Sequence, residues 1–165
     1  MTVGVLTVSD RSADGVREDV SGEKIVAWCA AHGYSVVRRA VVHDETAQIS
    51  PILVEWADEG IALIVTTGGT GLAERDVTPE ATRAVLEREA PGIAEEIRRR
   101  GLVSTPFSIL SRGVSGTRGR ALIVNLPGSP GGVEDGLAVL SPIIEHACAL
   151  LRDPTAPHSA RDAGS

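Results

Sequence analysis

The chain has 165 residues, of which 42% are apolar but only 2% aromatic, and its formal net charge is −6. This length fits one domain with a sizeable core, which must be built from Val, Ile, Leu and Ala. The acidic balance argues against a nucleic-acid partner, and no apolar run approaches the ~18 residues that a membrane span needs.

The first half of the chain alternates between strand-like and helix-like segments. Runs of β-branched residues predict buried strands. Segments with apolar residues at helical spacing and a glycine at the end predict helices. IALIV reads as a central strand because it is continuously apolar, as expected when both faces of a sheet are covered. A polar loop is expected at 10–19. We predict strands at 2–9, 34–42 and 61–65, and helices at 21–33 and 46–60.

The second half begins with a helix start at Thr78-Pro79, with Thr78 as the N-cap and Pro79 at the first helical position. This helix is expected to run to about Ala90, and a short helix to follow at 91–101. A strand and loop are predicted at 105–116, a strand at 120–128, and a helix at 131–151 that is kinked or restarted at Pro142. The polar residues 153–165 are expected to form a disordered tail.

The order strand, helix, strand, helix predicts an α/β fold: a three-layer α/β/α sandwich with a mostly parallel central sheet, in one domain spanning 1–152. Ligands of such sheets collect at the carboxyl ends of the strands. Four segments should therefore share one rim, because each follows a strand. They are Ser9-Asp10, Asp44, the glycine loop TTGGTG (66–71) and LPGSPGG (126–132).

The glycine loop is the most informative segment. Its glycines, Gly68, Gly69 and Gly71, let the backbone turn sharply and approach a ligand, and Thr67 and Thr70 add hydroxyl groups. Successive N–H groups in such a turn can bind an anion. The loop is neither a Walker A motif nor a dinucleotide fingerprint. A tight turn without a ligand remains the alternative.

Two carboxylates are expected close to this loop. Asp44 ends the second strand, and Asp76 precedes the Thr78-Pro79 helix start. Taken alone, each is more typical of a cap or a turn. Together near a phosphate cradle they suit Mg²⁺, a hard cation that shares oxygen ligands with substrate phosphates.

Further anion contacts are predicted at two other places. Pro127, Gly128 and Ser129 precede the last helix, whose N-terminus favours phosphate, although a plain turn fits equally well. Arg112, after Ser111, could clamp a phosphate with two hydrogen bonds, whereas a lone arginine is more often in a surface ion pair. No protein nucleophile is apparent, and His43 beside Asp44 has no partner that would make it catalytic.

Cys29 and Cys148 lie inside apolar helical patterns and lack metal-ligand spacing, so we expect buried, reduced thiols. The N-terminus runs directly into a strand without the pattern of a signal peptide. Both features lead us to expect a cytoplasmic protein without a membrane partner.

Several motifs in order resemble the MogA/MoaB-type molybdenum-cofactor proteins, specifically the molybdopterin adenylyltransferases. The resemblance covers roughly residues 3–151 and is most specific where TTGGTG is followed by RDVTPE. The matching strings are VSDR (8–11), DE (44–45), TTGGTGL (66–72), RDVTPEAT (75–82), PG (91–92), LSR (110–112) and NLPGSP (125–130).

This resemblance implies an enzyme that assembles as a trimer and transfers the adenylyl group of MgATP to the terminal phosphate of molybdopterin. It implies that Asp44 and Asp76 hold Mg²⁺ and are essential for catalysis. Substrate contacts are implied for the glycine loop, Ser111, Arg112 and the PGSP segment, with Ser9-Asp10 on the same rim. Transient contact with the molybdate-inserting enzyme is a further expectation.

Two other functions remain open. A MoaB-type protein would bind or carry the pterin without turning over ATP, and a nucleotide hydrolase of the competence-damage type would act without any pterin. The intact RDVTPE segment favours the catalytic branch, while His43 stands where the family commonly has proline.

Overall fold

A computed structural model describes residues 1–153 and 155, so most of the predicted tail at 153–165 lies outside the described residues. The centre of the molecule is one six-stranded sheet with the order β2-β1-β3-β6-β5-β4. The first four strands of that order are parallel, and β5 and β4 form an antiparallel edge. The strands are β1 (Thr2–Val8), β2 (Ser35–Val42), β3 (Leu63–Thr67), β4 (Arg88–Glu89), β5 (Ser115–Arg118) and β6 (Ala121–Leu126).

Helices cover both faces of the sheet, which confirms the α/β/α sandwich. One core lies between the sheet and α2, α5, α6 and α7, and the other lies between the sheet and α3 and α4. The helices are α1 (Asp10–Ala13), α2 (Val20–Ala31), α3 (Thr46–Asp58), α4 (Thr78–Arg83), α5 (Pro91–Gly101), α6 (Pro130–Leu140) and α7 (Ile144–Arg152), with a 3-10 helix at Pro106–Leu110.

The central strands carry apolar side chains on both faces because both faces are covered. In β3, which begins in the IALIV run, Leu63 and Val65 belong to the first core, whereas Ile64 belongs to the second. Their full burial explains why the sequence shows a continuous apolar run instead of an alternating one. No helix within residues 1–153 is long and apolar enough to cross a membrane.

The predicted helix from Thr78 to about Ala90 is wrong in its second half. α4 ends at Arg83, and the chain then turns into the short edge strand β4. Pairing with β5 overrides helical propensity here, because the N–H groups of Glu87 and Ala90 donate to carbonyl groups of β5 at 2.8 Å. Thr78 is also not the cap: it is the first helical residue, and its hydroxyl donates to the Gly68 carbonyl.

Two other segments differ from prediction, and one prediction is confirmed. The stretch at 106–110 is a 3-10 helix, begun by Pro106 and capped by the Thr105 side chain, and the strand starts only at Ser115. The expected loop at 10–19 opens with the short helix α1, which Ser9 caps. The expected break near Pro142 is confirmed, since α6 ends at Leu140 and α7 begins at Ile144.

Candidate active site

The carboxyl ends of β1, β2, β3 and β6 bring the four predicted segments together. The N–H of Ser9, after β1, donates to the carbonyl of Val42 at the end of β2, at 2.9 Å. The N–H of Gly68, after β3, donates to the carbonyl of Leu126 at the end of β6, at 3.3 Å. The rim is therefore continuous across all four parallel strands.

The glycine loop has a backbone conformation that requires glycine. Gly68 and Gly69 have φ angles of 94° and 61°. A Cβ on Gly68 would overlap the carbonyl oxygen of Val8, and a Cβ on Gly69 would lie 2.7 Å from Asp44 Oδ1. The loop thus lies directly against β1 and the carboxylate, with no space for a side chain at either position.

Hydrogen bonds hold this loop to its neighbours. The hydroxyl and the N–H of Thr78 donate to the carbonyls of Gly68 and Gly69 at 2.9 and 3.0 Å, and the Thr67 hydroxyl donates to the Pro127 carbonyl at 2.7 Å. By contrast, the N–H groups at 69–71 have no acceptor among the described residues. Three successive N–H groups that have no acceptor among the described residues, on a fixed loop, are suited to bind an anion.

The two predicted carboxylates line the same cleft beside this loop. Asp44 Oδ2 accepts the N–H of Asp10 at 3.0 Å, and Asp76 Oδ2 accepts the N–H of Ala73 at 3.0 Å. Within the described part of the chain, neither Oδ1 atom has a hydrogen-bond donor. Burial raises the pKa of Asp44, and the nearby carboxylates of Asp10 and Asp76 raise it further.

Asp10 differs from these two because its carboxylate is already paired. Arg75 donates from Nε and Nη2 to its two oxygens, both at 2.7 Å, and His43 Nδ1 lies 3.4 Å from Asp10 Oδ1. The hydrogen bonds from Arg75 lower the pKa of Asp10 to about 2. Asp10 in turn accepts the N–H of Asp44 at 3.1 Å.

Two clefts meet at this rim. The first has a volume of about 380 Å³ and is rich in hydroxyl and carboxylate groups, and the second, of about 550 Å³, includes the apolar side chains of Leu72, Phe107 and Leu110. We call them the polar cleft and the apolar cleft. The two clefts share Gly69, Asp76, Gly128 and Ser129. Ligands in the two clefts would therefore approach each other at Asp76.

Twelve of the fourteen predicted site residues line these clefts. Besides the shared four, the polar cleft contains Ser9, Asp44, Thr67 and Gly68, and the apolar cleft contains Thr70, Gly71, Ser111 and Pro127. Asp10 lines neither cleft, because its carboxylate faces Arg75. Arg112 lines a separate depression next to Ser111.

The guanidinium of Arg112 is occupied by protein acceptors. Nε donates to the Gly71 carbonyl at 2.7 Å, Nη2 donates to the Asp76 carbonyl, and Nη1 pairs with Glu80. Its backbone N–H also donates to the Thr70 carbonyl at 2.8 Å. The ion pair that the sequence left open as an alternative is thus observed, and the hydrogen bonds to the Thr70 and Gly71 carbonyls brace the glycine loop.

Sequence reasoning missed several residues that line the clefts. Ser12, Arg17 and Ser21 line the polar cleft, and Phe107 lines the apolar one. The polar segment that contains Ser12 and Arg17 follows directly after strand one, at the edge where ligands bind, and Ser21 lies at the start of the next helix, so their position in the chain was an available indication. Nothing local marks Phe107, because its segment read as a strand.

The residues present fit a magnesium ion that arrives with a nucleotide. Within residues 1–153 and 155, no cluster of three or more His, Cys, Asp or Glu side chains could hold a metal by itself. Among the described residues, Asp44 and Asp76 each keep one oxygen without a hydrogen-bond donor, and Mg²⁺ typically takes one or two carboxylates and completes its shell with phosphate oxygens and water.

Comparison with known proteins agrees with this architecture. Residues 4–146 match the family described as a probable molybdopterin binding domain. The chain belongs to this family. The molybdopterin adenylyltransferase of Helicobacter pylori strain J99 is 40% identical over 152 residues, which cover 90% of this chain and 86% of that protein.

Other family members extend the comparison. Gephyrin of Dictyostelium discoideum is 39% identical over 161 residues, and the chain spans only 22% of that longer protein. The crystal structure of the molybdopterin biosynthesis enzyme MoaB from Thermus thermophilus superposes with a TM-score of 0.86 at 50% identity, covering 91% of this chain and 95% of that one. These relatives confirm the family that the motifs indicated.

Proposed function

We propose that this protein is a molybdopterin adenylyltransferase, which transfers AMP from ATP to the terminal phosphate of molybdopterin and releases pyrophosphate. The observation that carries this proposal is the pair of clefts of different chemistry that share a wall at Asp76. Such an arrangement suits an enzyme that must bring the reacting ends of two different ligands together.

The reaction needs no protein nucleophile. An oxygen of the pterin phosphate attacks the α-phosphorus of ATP, and the bond from that phosphorus to the bridging oxygen breaks, so that its electron pair leaves with pyrophosphate. The chain contributes positioning and charge stabilisation, which dominate phosphoryl transfer. The free N–H groups at 69–71 are suited to bind phosphate oxygens, and Arg112 holds the loop that presents them.

Electrostatics support a role for Mg²⁺ as the accompanying cofactor. The polar cleft is lined by four carboxylates and, among the described residues, by one cationic side chain, that of Arg17. A polyanionic substrate would be repelled from such a surface. Asp44 and Asp76 would hold the Mg²⁺, which would offset the phosphate charge and stabilise the departing pyrophosphate.

We assign Asp10 a supporting role within this site, because its carboxylate is held by Arg75 and its N–H donates to Asp44. Ser9, Thr67, Gly128 and Ser129 line the polar cleft with hydroxyl or backbone groups and are proposed substrate contacts.

The test is pyrophosphate release from MgATP with freshly prepared molybdopterin. Wild type should release pyrophosphate only when the pterin is present, and Asp76→Asn should lower the rate by at least about 100-fold, the loss typical of a missing charge-stabilising group. Glu74→Gln is the matched control, since Glu74 is exposed and lies two residues before Asp76 in the same loop. It should keep the wild-type rate.

Two other outcomes would replace the proposal. Pterin binding without pyrophosphate release would indicate a pterin-binding carrier. Phosphate or pyrophosphate release that does not depend on the pterin would indicate a nucleotide hydrolase.

We also propose that the protein forms homotrimers in the cytoplasm and that it contacts the molybdate-inserting enzyme transiently. The trimer is supported by exposed apolar side chains next to the apolar cleft, among them Leu72, Val103, Phe107 and Ile109, which are 61–90% exposed. Sedimentation equilibrium measures the assembly: a monomer at micromolar concentration would contradict it. The cytoplasmic location is supported by the two cysteines, Cys29 and Cys148, which are buried free thiols, as is typical of a reducing compartment.

A further inference from the structure

A chain of hydrogen bonds leads from Arg75 to Asp44, one of the two carboxylates assigned to Mg²⁺. Arg75 grips both oxygens of Asp10 at 2.7 Å. The N–H of Asp10 donates to Asp44 Oδ2 at 3.0 Å, and the N–H of Asp44 donates to Asp10 Oδ1 at 3.1 Å. Asp10 therefore contacts both the backbone and the side chain of Asp44.

The two hydrogen bonds from Arg75 fix the orientation of the Asp10 carboxylate in addition to forming an ion pair with it. Two parallel N–H···O bonds fix the plane of a carboxylate, which a single point contact does not do. Because Asp10 Oδ1 also accepts from Asp44, fixing the Asp10 plane fixes the start of the loop after β2. The remaining oxygen of Asp44 then points to the glycine loop, 2.7 Å from the position that a Cβ on Gly69 would occupy.

The position of Arg75 in the chain adds a second link. It immediately precedes Asp76, the other carboxylate of the polar cleft. The dipeptide Arg75-Asp76 thus supplies the Asp76 carboxylate directly and is linked to the Asp44 carboxylate through Asp10. Loops after β1, β2 and β3 are tied together at this point, although they are separated by more than 30 residues in sequence.

We propose that Arg75 is a positioning residue, which holds the Asp44 carboxylate in place for a divalent cation by donating two hydrogen bonds to Asp10. This inference rests on the proposed function, because the cation that Asp44 would hold is the Mg²⁺ of the proposed reaction. Arg75 itself lines neither cleft, so its effect reaches the cation through Asp10.

The test measures cation binding separately from turnover. Mn²⁺ serves as the probe, and its binding to the whole protein in the presence of a non-hydrolysable ATP analogue is followed by electron paramagnetic resonance. Arg75→Met should raise the half-saturating Mn²⁺ concentration about 10-fold or more. Arg75→Lys, which keeps the charge but not the two-pronged geometry, should recover only part of the loss.

Arg83→Met is the matched control. Arg83 lies in α4 and pairs with Glu89 at 3.7 Å, away from both clefts, and its replacement removes the same charge. It should leave Mn²⁺ binding unchanged. Circular dichroism of each variant establishes that the fold is intact.

A double-mutant cycle decides whether Arg75 acts through Asp10. Asp10→Ala combined with Arg75→Met should bind Mn²⁺ no more weakly than Asp10→Ala alone. If the two losses multiply, Arg75 acts on the ligand directly and the inference is wrong. It is equally overturned if Arg75→Met stays within twofold of wild type, or if Arg75→Lys binds as well as wild type.

These outcomes are distinguishable from failure of the proposed function. An unaltered wild type that binds Mn²⁺ with the nucleotide analogue but releases no pyrophosphate refutes adenylyl transfer and leaves the positioning role measurable. A wild type that binds no Mn²⁺ under these conditions refutes the positioning role.

Discussion

Gly68→Ala provides a direct test of the close backbone approach at the glycine loop. A Cβ at this position would overlap the Val8 carbonyl oxygen and lie 3.2 Å from the Val8 carbonyl carbon. Both atoms belong to the backbone of β1, which is hydrogen-bonded to β2 and β3 and cannot move aside. The φ angle of 94° adds a second cost, because L-residues with a side chain avoid positive φ.

Gly60 is a matched control for the second cost. Its φ angle is 84°, close to that of Gly68, but a Cβ there would meet no atom of the described part of the chain within 4 Å. Gly60→Ala should therefore lose only the backbone term, about 1–2 kcal/mol. Gly68→Ala should lose that amount plus an overpacking term of about 1–3 kcal/mol, because the overlapping atoms are backbone. The expected totals are about 1–2 and about 2–5 kcal/mol.

The free energy of unfolding is measured by urea titration with tryptophan fluorescence. The chain has two tryptophans, and Trp56 is buried against the sheet. All variants must be compared at one protein concentration, because assembly would couple to unfolding. Equal slopes with different midpoints show that stability itself has changed.

Activity provides the second measurement for this pair. At a temperature where both variants are folded, Gly68→Ala should lose pterin-dependent pyrophosphate release, since the loop that presents the free N–H groups must shift. Gly60→Ala should retain it. Equal unfolding free energies for the two variants, within about 0.5 kcal/mol, would refute the reasoning from close approach, as would full activity in Gly68→Ala.

Three further predictions concern side chains around the same loop. Asn125→Ala should lower the unfolding free energy by about 2–4 kcal/mol in urea titration, since the Asn125 amide donates to two buried threonines and accepts the buried N–H of Val114; a loss below about 1 kcal/mol would contradict this. Asp44→Asn should abolish pyrophosphate release yet raise stability at pH 7. Because folding raises the pKa of Asp44, its ionised form destabilises the folded state, and this destabilisation disappears as pH falls through the pKa of the folded state. The stability advantage of Asp44→Asn should therefore shrink at low pH. A stability advantage that grows on acidification would contradict this direction. Arg112→Met should lower activity about 10-fold or more while changing stability by less than about 2 kcal/mol, because it frees the Gly71 carbonyl and loosens the loop; an unchanged KM and kcat would exclude the bracing role.

Much of the fold was readable from local patterns. The strands at the centre of the sheet were predicted because both of their faces are apolar, and the break between α6 and α7 was predicted from Pro142. The end of α4 was not, because the segment up to Ala90 has helical character and is diverted only by pairing with β5. β5 begins at Ser115, 25 residues after Ala90, so nothing in the sequence near Ala90 indicates this pairing.

The candidate site likewise has features that the sequence predicts and features that it does not. Most of the residues predicted for the site line the two clefts, because glycine, threonine and aspartate after strands are local features and parallel strands end on a common edge. The partners of the charged side chains could not be predicted. Arg112, a predicted phosphate contact, donates to the Gly71 carbonyl, and Asp10, a predicted substrate contact, accepts two hydrogen bonds from Arg75.

The sequence by itself determined the α/β/α architecture, the rim and the composition of the loop, since these depend on residue type and order along a short stretch of chain. Only the tertiary structure decided that two clefts meet at Asp76 and that Arg75 reaches Asp44 through Asp10. The reason is physical: the shape of a cleft and the pairing of a charge depend on distances between loops that the sequence separates by tens of residues.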